Sequence, residues 1–586
     1  MVMKKTNKKI QSYINFGVLL LIIIIGNTLS SVYYKRFDLT NEKRYTLSET
    51  SIKLAKSLKE KYYFKLYLDG DMSAKFKQLK LEIRDIAYEF REISGKNLEI
   101  EIIDPFKEVK GKEMNEILDV FAQKGIEPVR DMESENPDET KIKYLLPGAE
   151  LMKDNRTVPI NFFEYDVAQT PEENIQRAID NIEYEIANGL RQVIANQRKN
   201  IAVIDGNGEM LDGRVEGFAA ELSKYYNVSA LNLNTSDPES GRPFIKSMEK
   251  DPANAGNILV NSLQRRLNLN ELIMIIKPIK DYSPTELYLI DQYIMNGGKV
   301  MWLIDAVNME IDSFRNYKEV LAVDYGLENI TASLFTYGVG IDNTLLTDLK
   351  CNQIPIPAGK RIELVDFPYF PLFGATDMPH IINKNMGTIW CQFPGTLQAK
   401  IRTEVTAIPL LSSTPYTKVI NIPASVDLEN VYMQSRDPKF RETMNQGIKT
   451  AGMLLEGKFK SPFVYQKKYT EIPFKAEGAS KMIVIADGDI IRNPVSSSGK
   501  FFPTGYDKIS QYTFANKKFL LNCIDYLIDN NGLIEIRAKE RTLRLLDPEK
   551  SKSEKAYWQW YSMILPIFSI IIFGLVNYFI RRKRYN

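Results

Sequence analysis

Two aspartates separated by a glycine follow a short apolar run late in the chain. Asp487-Gly488-Asp489 follows Ile483–Ile485 after one alanine, Ala486. Carboxylates at this spacing can bind a divalent cation, because Mg²⁺ and Ca²⁺ prefer hard oxygen ligands. Aspartate and glycine are equally common where a chain simply turns. Asp487 and Asp489 are therefore candidate ligand or partner contacts, and a plain turn is the favoured alternative.

A second candidate is the glycine-rich segment Gly206–Gly213, GNGEMLDG, which follows the predicted strand Ile201–Asp205. Its third glycine comes two residues later than the dinucleotide pattern G-x-G-x-x-G requires, so we expect no nucleotide there. A structural turn is the favoured interpretation. The alternative is contact with a non-nucleotide ligand or a partner through Asn207, Gly208 and Glu209, because such sheets bind ligands beyond the carboxyl ends of their strands.

Catalysis is difficult to build from the remaining reactive side chains. His380 is the only histidine, and the three cysteines lack the spacing of metal ligands. A nucleophilic triad would have to use His380, which lies among prolines and is better read as a loop histidine. The chain also has no G-x-x-x-x-G-K-[ST] motif. We therefore predict a protein that is not an enzyme, with no catalytic residues, cofactor or bound metal, and any ATPase must be a separate subunit.

Alternating strands and helices must position the two candidate loops. The near-continuous apolar runs are typical of parallel strands covered on both faces, and Ser283-Pro284-Thr285-Glu286 predicts a helix start between two of them. This order predicts a Rossmann-like layered α/β domain over residues 201–533. An irregular insertion is expected at about 312–474. The predicted strands are Ile201–Asp205, Leu272–Ile276, Val300–Ile304 and Ile483–Ile485.

Smaller units precede and follow this domain. Residues 37–169 predict an N-terminal α/β domain, in which the apolar residues from Phe76 to Ile93 recur every three or four positions. A bridging helix is expected at 170–200 and a juxtamembrane linker at 534–559. Within the insertion, the aromatic and proline-bearing stretch Phe367–Phe373 is either a recognition surface or a loop packed against its own domain.

Both ends of the chain carry an apolar segment beside basic residues. Trp560–Ile580 has no charged side chain and is followed by Arg581–Arg584. A helix of this length spans a bilayer, and a basic cluster marks its cytoplasmic side. Ile14–Leu29 follows four lysines, so we favour an uncleaved anchor over a cleaved signal peptide. Residues 1–36 and 560–586 are thus predicted to be membrane helices with cytoplasmic tails, and Lys35–Gln559 lies outside the cytoplasm.

Composition fits a large extracytoplasmic body. The 586 residues carry a net charge of +3, and the eight basic residues at the two ends account for more than that. The remainder is mildly acidic, which excludes the electrostatic footprint of a nucleic-acid-binding protein. Three cysteines are too few for a disulfide scaffold, although one bridge can form.

Four stretches of the chain are distinctive: FDLTNEKRYTLSE at Phe37–Glu49, IAVIDGNGE at Ile201–Glu209, IDQYIMNGGKVMWLIDA at Ile290–Ala306 and IVIADGDIIRNP at Ile483–Pro494. Together with the terminal anchors they resemble the GldG family, gliding-motility-associated membrane proteins of Bacteroidetes. The resemblance covers nearly the whole chain. Its central domain is similar to a module shared with intraflagellar-transport proteins, a Rossmann-like fold akin to class I glutamine amidotransferases. Relatives usually have Gly-His-Gly-Glu where this chain has Gly206-Asn207-Gly208-Glu209, which puts any role of that imidazole in doubt.

The resemblance implies a non-enzymatic auxiliary subunit of an ABC-type complex of the inner membrane. Its expected partners are an ABC permease, a cytoplasmic ATPase, membrane lipid and other gliding machinery, and links to the associated secretion machinery are included. The family brings no established catalytic residues. The alternative from a different class is a periplasmic binding module whose ligand is a glycan or another envelope component.

Overall fold

The structure of the protein is a computed structural model, in which the chain divides into two compact units, Met1–Lys539 and Glu540–Asn586. The FDLTNEKRY part of the first family stretch and most of the predicted linker lie outside the described residues. The structure describes residues 8–32, 46–107, 109, 112–136, 139–165, 170–194, 198–234, 252–358, 361–374, 380–384, 386–400, 404–465, 472–496, 499, 501–528 and 553–585.

The N-terminal region contains the expected small α/β arrangement. One four-stranded sheet has the order β2-β1-β5-β6, with β1 and β2 parallel. The apolar stripe of α3 is buried against this sheet, as the 3–4 residue spacing predicts. The elements are α1 (Lys8–Val32), α2 (Glu49–Lys56), β1 (Tyr62–Leu66), α3 (Ala74–Ile93), β2 (Leu98–Ile102), α4 (Lys112–Lys124), β3 (Val129–Asn136), β4 (Glu139–Leu145), β5 (Gly148–Lys153) and β6 (Arg156–Asn161).

A long helix, α5 (Pro171–Ile194), occupies the place predicted for the bridge. Arg191 near its end forms an ion pair with Asp525, the two atoms Nη2 and Oδ1 being 2.9 Å apart. Tyr226 donates to the same carboxylate oxygen at 2.5 Å. Because Asp525 belongs to α12 (Asn516–Ile528), the last described helix of the main unit, these bonds join α5 to the carboxyl-terminal part of the described fold.

The central sheet is mixed, and its parallel half is the part predicted from the apolar runs. From one edge to the other its order is β13 (Val339–Asp342), β18 (Thr396–Ala399), β22 (Thr450–Lys460), β23 (Glu477–Ile485), β10, β9, β7 and β8, with β19 (Val405–Ser412) paired to β22. Neighbours from β23 to β8 are parallel. The elements of this half are β7 (Asn200–Asp205), α6 (Gly213–Ser223), β8 (Asn227–Asn232), α7 (Pro252–Leu267), β9 (Leu272–Ile276), α8 (Pro284–Met295) and β10 (Lys299–Leu303).

Local signals begin and end these elements where expected. Every residue of β9 is buried, as a strand covered on both faces requires. Ser283 caps α8 in a capping box with Glu286. Gly297 follows the helix with φ +90°, a conformation that glycine adopts without a steric penalty.

Strands from the predicted insertion also enter the central sheet, and others form small separate sheets. Strands β13, β18, β19 and β22 extend the sheet on the side away from β8. The elements are β11 (Val307–Asn308), β12 (Glu319–Asp324), α9 (Glu328–Tyr337), β13 (Val339–Asp342), β14 (Thr344–Asp348), β15 (Cys351–Ala358), β16 (Arg361–Phe373), β17 (Ile389–Trp390), β18 (Thr396–Ala399), β19 (Val405–Ser412), β20 (Thr417–Asn421), β21 (Ala424–Asp427), α10 (Leu428–Arg436), α11 (Pro438–Thr443) and β22 (Thr450–Lys460).

The aromatic stretch of the insertion packs inward. Phe367 and Phe370 are buried and their ring centroids are 4.8 Å apart in an edge-on arrangement. Phe370 also meets Phe393 at 5.1 Å. The packing alternative is therefore confirmed for these rings, and they offer no exposed recognition surface.

The remaining described strands and helices lie towards the carboxyl end of the chain. Helix α13 contains an apolar segment, Lys555–Ile580, of 26 residues and with none of its surface buried. At about 1.5 Å per residue it exceeds the roughly 30 Å of a hydrocarbon core. The apolar part of α1 that the structure describes, Tyr13–Asn27, is shorter. The last elements are β23 (Glu477–Ile485), β24 (Tyr506–Asp507), β25 (Tyr512–Thr513), α12 (Asn516–Ile528) and α13 (Lys555–Tyr585).

Candidate functional site

Charged residues follow three neighbouring parallel strands and meet at one edge of the central sheet. Lys277 comes directly after β9, Asp305 follows β10, and Asp487 and Asp489 follow β23. The carboxyl ends of parallel strands lie at the same edge, so these residues come together although they are distant in sequence. The three aspartates each offer a carboxylate oxygen within 4.8 Å of the others.

A buried ammonium group holds this cluster together. The Nζ atom of Lys277 lies 2.7 Å from Oδ2 of Asp489, 2.9 Å from Oδ2 of Asp305 and 3.3 Å from Oε1 of Glu310. Lys277 is 2% exposed. A charge at such depth is stable only when oppositely charged groups surround it. Its backbone has φ +49°, which is unfavourable for a side-chain-bearing residue and is maintained only by the surrounding structure.

The Asp-Gly-Asp segment forms a tight turn that belongs to the same cluster. The amide of Asp489 donates to Oδ1 of Asp487 at 2.8 Å, and the amide of Gly488 donates to Asp305. The amide of Gln392 donates to the other oxygen of Asp487 at 2.8 Å. The carboxylates therefore organise backbone as well as binding the ammonium group.

Burial and mutual charge shift the proton affinities in the cluster. Burial raises the pKa of Asp305 to about 6, and the Lys277 ammonium opposes this shift. Burial, followed by the charges of Asp305 and Asp489, raises the pKa of Asp487 well above its ordinary value. Burial by itself lowers the pKa of Lys277, but the surrounding carboxylates outweigh it and hold that pKa above its usual value.

These shifts decide what the cluster can do chemically. A lysine acts as a nucleophile only when its pKa is lowered, and Lys277 shows the opposite shift. Asp305 and Asp489 share the ammonium as their counter-ion. The positive charge between these two carboxylates is therefore the ammonium group of Lys277.

The Gly206–Glu209 loop lies beside the segment that follows β9. The carbonyl of Asn207 accepts hydrogen bonds from the amides of Ile279 at 3.2 Å and Lys280 at 3.0 Å. Gly208 has φ +76°, and a Cβ atom there would lie 2.5 Å from Cγ1 of Ile279. A glycine is therefore required both by the backbone conformation and by the close approach of Ile279.

Glu209 differs from the exposed charged residue expected at the mouth of the sheet. It is 8% exposed, and its carboxylate accepts hydrogen bonds from the amide of Asn207 at 2.7 Å and from the hydroxyl of Tyr282. Burial raises the pKa of this carboxyl. Asn207 is 6% exposed and donates to Glu286 at 3.3 Å. The polar atoms of the loop thus serve internal hydrogen bonds, and contact with a ligand or partner stays a prediction.

One short segment connects the two candidate loops. Lys277, at its start, faces the Asp-Gly-Asp turn, while Tyr282, at its end, faces Glu209. The structure therefore brings Asn207, Gly208 and Glu209 together on one side of this segment. It brings Asp487 and Asp489 together on the other.

The histidine and cysteines form no catalytic arrangement in the described part of the chain. His380 packs edge-on against Tyr526, with ring centroids 5.0 Å apart, and burial lowers its pKa. Cys351, Cys391 and Cys523 are free cysteines. Cys391 hydrogen bonds with Asp487, and burial raises the pKa of its thiol well above the ordinary value. A thiol in this state is a poor nucleophile.

Sequence reasoning missed Lys277 altogether and treated Asp305 only as the end of a strand. A signal was present, because Lys277 follows a wholly buried parallel strand and Asp305 lies within two positions of a nearly wholly buried one. Such a residue must either reach solvent or find a partner at the sheet edge. The sequence did not indicate which partner Lys277 would find, because Asp489 lies 212 positions further along the chain.

A groove of about 1220 Å³ lies next to the cluster. Two arginines connect them. Nη1 of Arg492 lies 3.8 Å from Oδ1 of Asp489, and Nη1 of Arg214 lies 3.7 Å from Oε1 of Glu310. We call this cavity the β15 groove, because Asn352–Pro357 of β15 form one wall. Its lining includes both arginines.

Comparison with known families defines the class of protein. Residues 198–523, more than half of the chain, match the model of a family described as an ABC-type uncharacterized transport system. The chain belongs to this family of ABC-transporter auxiliary proteins, and membership implies association with an ABC transport system. Residues 41–152 match a second model, a domain of unknown function named DUF7088.

Individual relatives add little about function. An uncharacterized protein of Borreliella burgdorferi is 20% identical over 590 aligned residues, covering 97% of this chain and 98% of that protein. A solved chain named mmIFT52 N-terminal domain is 11% identical, with a TM-score of 0.30, and the match covers 56% of this chain and 97% of that chain. A likeness at this score carries no conclusion about the fold.

Proposed function

We propose that the protein is a non-enzymatic auxiliary subunit of an ABC-type complex in the inner membrane, held there by α13 and by α1. Its large body faces the periplasm, a permease is its membrane partner, and a separate ATPase drives the assembly from the cytoplasm. Its cellular role is in gliding motility and the associated secretion machinery, as the resemblance to the GldG family implies.

The family match over residues 198–523 carries the proposal. Two features support a structural rather than catalytic role. The charged groups of the buried cluster pair with one another, because Lys277 forms ion pairs with Asp305 and Asp489. The apolar surface of Lys555–Ile580 is wholly exposed, which suits a helix surrounded by lipid or by other membrane helices.

Co-purification tests the assembly. The full chain, tagged after Asn586 and extracted in a mild detergent, is expected to bring down a permease and an ATPase of the ABC type. A version ending before α13, at residue 552, serves as the matched control and is expected to lose them. Recovery of the full chain alone, from cells in which such subunits are expressed, would contradict the proposal.

Reporter fusions test the orientation. A cytoplasmic reporter fused after Asn586 is expected to be active, because a basic cluster such as Arg581–Arg584 is typical of the cytoplasmic side of a membrane helix. A reporter inserted near Gly241, outside the described residues, is expected to indicate the periplasm. A cytoplasmic result near Gly241 would overturn the orientation and reopen the question of nucleotide ligands.

A further inference from the structure

The part of the main unit that precedes β7 forms a lobe with a sheet of its own. We call residues 46–194, with β1–β6 and α2–α5, the N-terminal lobe, and residues 198–528, with the larger sheet, the central lobe. The chain passes between them once, from the end of α5 to the start of β7. Among the residues that the structure describes, no strand pairing and no backbone–backbone hydrogen bond joins the two lobes. Side chains therefore make the hydrogen bonds and ion pairs between them.

Charged contacts between the lobes gather at the first turn of α12. Nζ of Lys517 lies 3.1 Å from Oε1 of Glu127. Nζ of Lys518 lies 3.2 Å from Oε1 of Glu185 and 3.6 Å from Oε2 of Glu164. We call these three contacts the α12 ion pairs. Two ammonium groups of the central lobe thus face three carboxylates of the N-terminal lobe.

Two cavities lie in the same interface. The larger, of about 940 Å³, is lined by Phe76 and Phe163 of the N-terminal lobe and by Phe514 of the central lobe. The smaller, of about 110 Å³, lies between α5 and α12. Lys517 and Lys518 line both cavities. Packed protein interiors contain few voids larger than a water molecule, so this interface is not a continuation of either core.

Ion pairs at such an interface resist separation less than apolar packing does. When the lobes part, each charged group exchanges its partner for water, and hydration offsets most of the lost attraction. The ion pair between Arg191 and Asp525 also joins the lobes and has the same property. An interface within a chain restricts relative motion mainly when it is large and apolar. The contacts between these lobes are therefore suited to opening and closing.

We propose that the N-terminal lobe moves as a rigid body against the central lobe, and that the α12 ion pairs hold the closed form. In that form Glu127, Glu164 and Glu185 face the ammonium groups of Lys517 and Lys518. In the open form both lysines face solvent, and the cavity of about 940 Å³ becomes an open cleft. The inference does not depend on which membrane complex the protein joins.

The test measures the distance between two spin labels on the full chain in lipid nanodiscs. Leu81 on α3 and Leu269 after α7 are 46% and 70% exposed, so Leu81→Cys and Leu269→Cys carry the labels. Cys351→Ser removes the native cysteine that is not buried. We expect two distance populations. The open population should grow with salt, because the screening length falls from about 10 Å at 0.1 M to about 3 Å at 1 M.

A charge swap tests whether the α12 ion pairs hold the closed form. Lys517→Glu places a carboxylate against Glu127 and is expected to raise the open population by roughly twofold or more at low salt, because repulsion replaces attraction. Combining it with Glu127→Lys restores an ion pair of reversed polarity and should restore the original distribution. The matched control, Lys458→Glu, breaks an exposed ion pair with Glu477 inside the central sheet and should change nothing.

A single distance population that responds neither to salt nor to Lys517→Glu would overturn the proposal, because the lobes would then form one rigid body. An equal shift in the Lys458→Glu control, or a double variant that keeps the open distribution, would show that other contacts hold the closed form. If Lys517→Glu does not fold, the salt series on the chain with an unaltered interface decides the outcome.

Discussion

The Nζ atom of Lys277 lies 2.7 Å from Oδ2 of Asp489, a residue 212 positions further along the chain. This bond joins the turn after β9 to the turn after β23. Both groups are almost fully buried, so neither can be replaced by water without rearrangement of the sheet edge. At the carboxyl ends of β9, β10 and β23, the segments that follow these strands are therefore held together by buried ion pairs.

Replacing the lysine should be severely destabilising. Lys277→Met leaves Asp305 and Asp489 buried without a counter-ion, which typically lowers the free energy of unfolding by about 3–5 kcal/mol. Chemical denaturation followed by tryptophan fluorescence measures this. Lys280→Met, an exposed position three residues later, is the matched control and should change stability by less than about 0.5 kcal/mol. Equal stability of the two variants would show that the cluster is not a structural element.

A side chain at Gly208 should be costly for two reasons that can be separated. Gly208→Ala combines an unfavourable positive φ with a Cβ atom 2.5 Å from Ile279. Gly447→Ala has a similar φ of +75° but nothing within 4 Å of its Cβ. We expect a loss of about 1–2 kcal/mol at Gly447 from the backbone alone and a clearly larger loss at Gly208. Equal losses would mean that the loop moves freely away from Ile279.

Glu209→Ala should lower stability rather than leave it unchanged. The substitution removes the acceptor of the Tyr282 hydroxyl and of the Asn207 amide, and a buried donor without a partner costs about 1–3 kcal/mol. Glu216→Ala, on the exposed side of α6, is the control, with an expected change within about 0.5 kcal/mol. A Glu209→Ala protein of unchanged melting temperature but impaired complex assembly would instead support a contact role.

A buried carboxyl in α8 should make stability depend on pH. Asp291 is 0% exposed and accepts hydrogen bonds from Ser461 at 2.7 Å and Tyr337 at 2.9 Å. Burial raises its pKa to about 6. The folded state therefore binds more protons than the unfolded state between about pH 4 and 6, and stability should fall as pH rises through this range.

Asp291→Asn tests that dependence. Asp305 titrates in the same direction, so the variant should reduce the slope of unfolding free energy against pH without abolishing it. Denaturation curves at several values between pH 4 and 7 give the slope. Identical slopes in the variant and the natural protein would contradict the assignment of the proton to Asp291.

The sequence predicted the parts of this fold that depend on local pattern. Apolar runs identified β9, β10 and β23, and the signals at Ser283 and Gly297 bounded α8. The strands within the predicted insertion, such as β22, join the central sheet through pairings that no local pattern specifies. The sequence predicted the site only as two separate loops, because the partners of its residues are distant in the chain. Lys277 is 212 positions from Asp489, and Tyr282 is 73 positions from Glu209.

The position of β23 has a consequence for the order in which the protein forms during synthesis. Strands β7 to β10 leave the ribosome early and can pair with one another at once, because the contacts between them are comparatively local. Strand β10 gains its second neighbour only when β23, Glu477–Ile485, has been synthesised. Until then the nascent chain exposes an unpaired strand, and Lys277 has Asp305 and Glu310 as partners but lacks Asp489. That interval is the stage at which assistance from chaperones matters most.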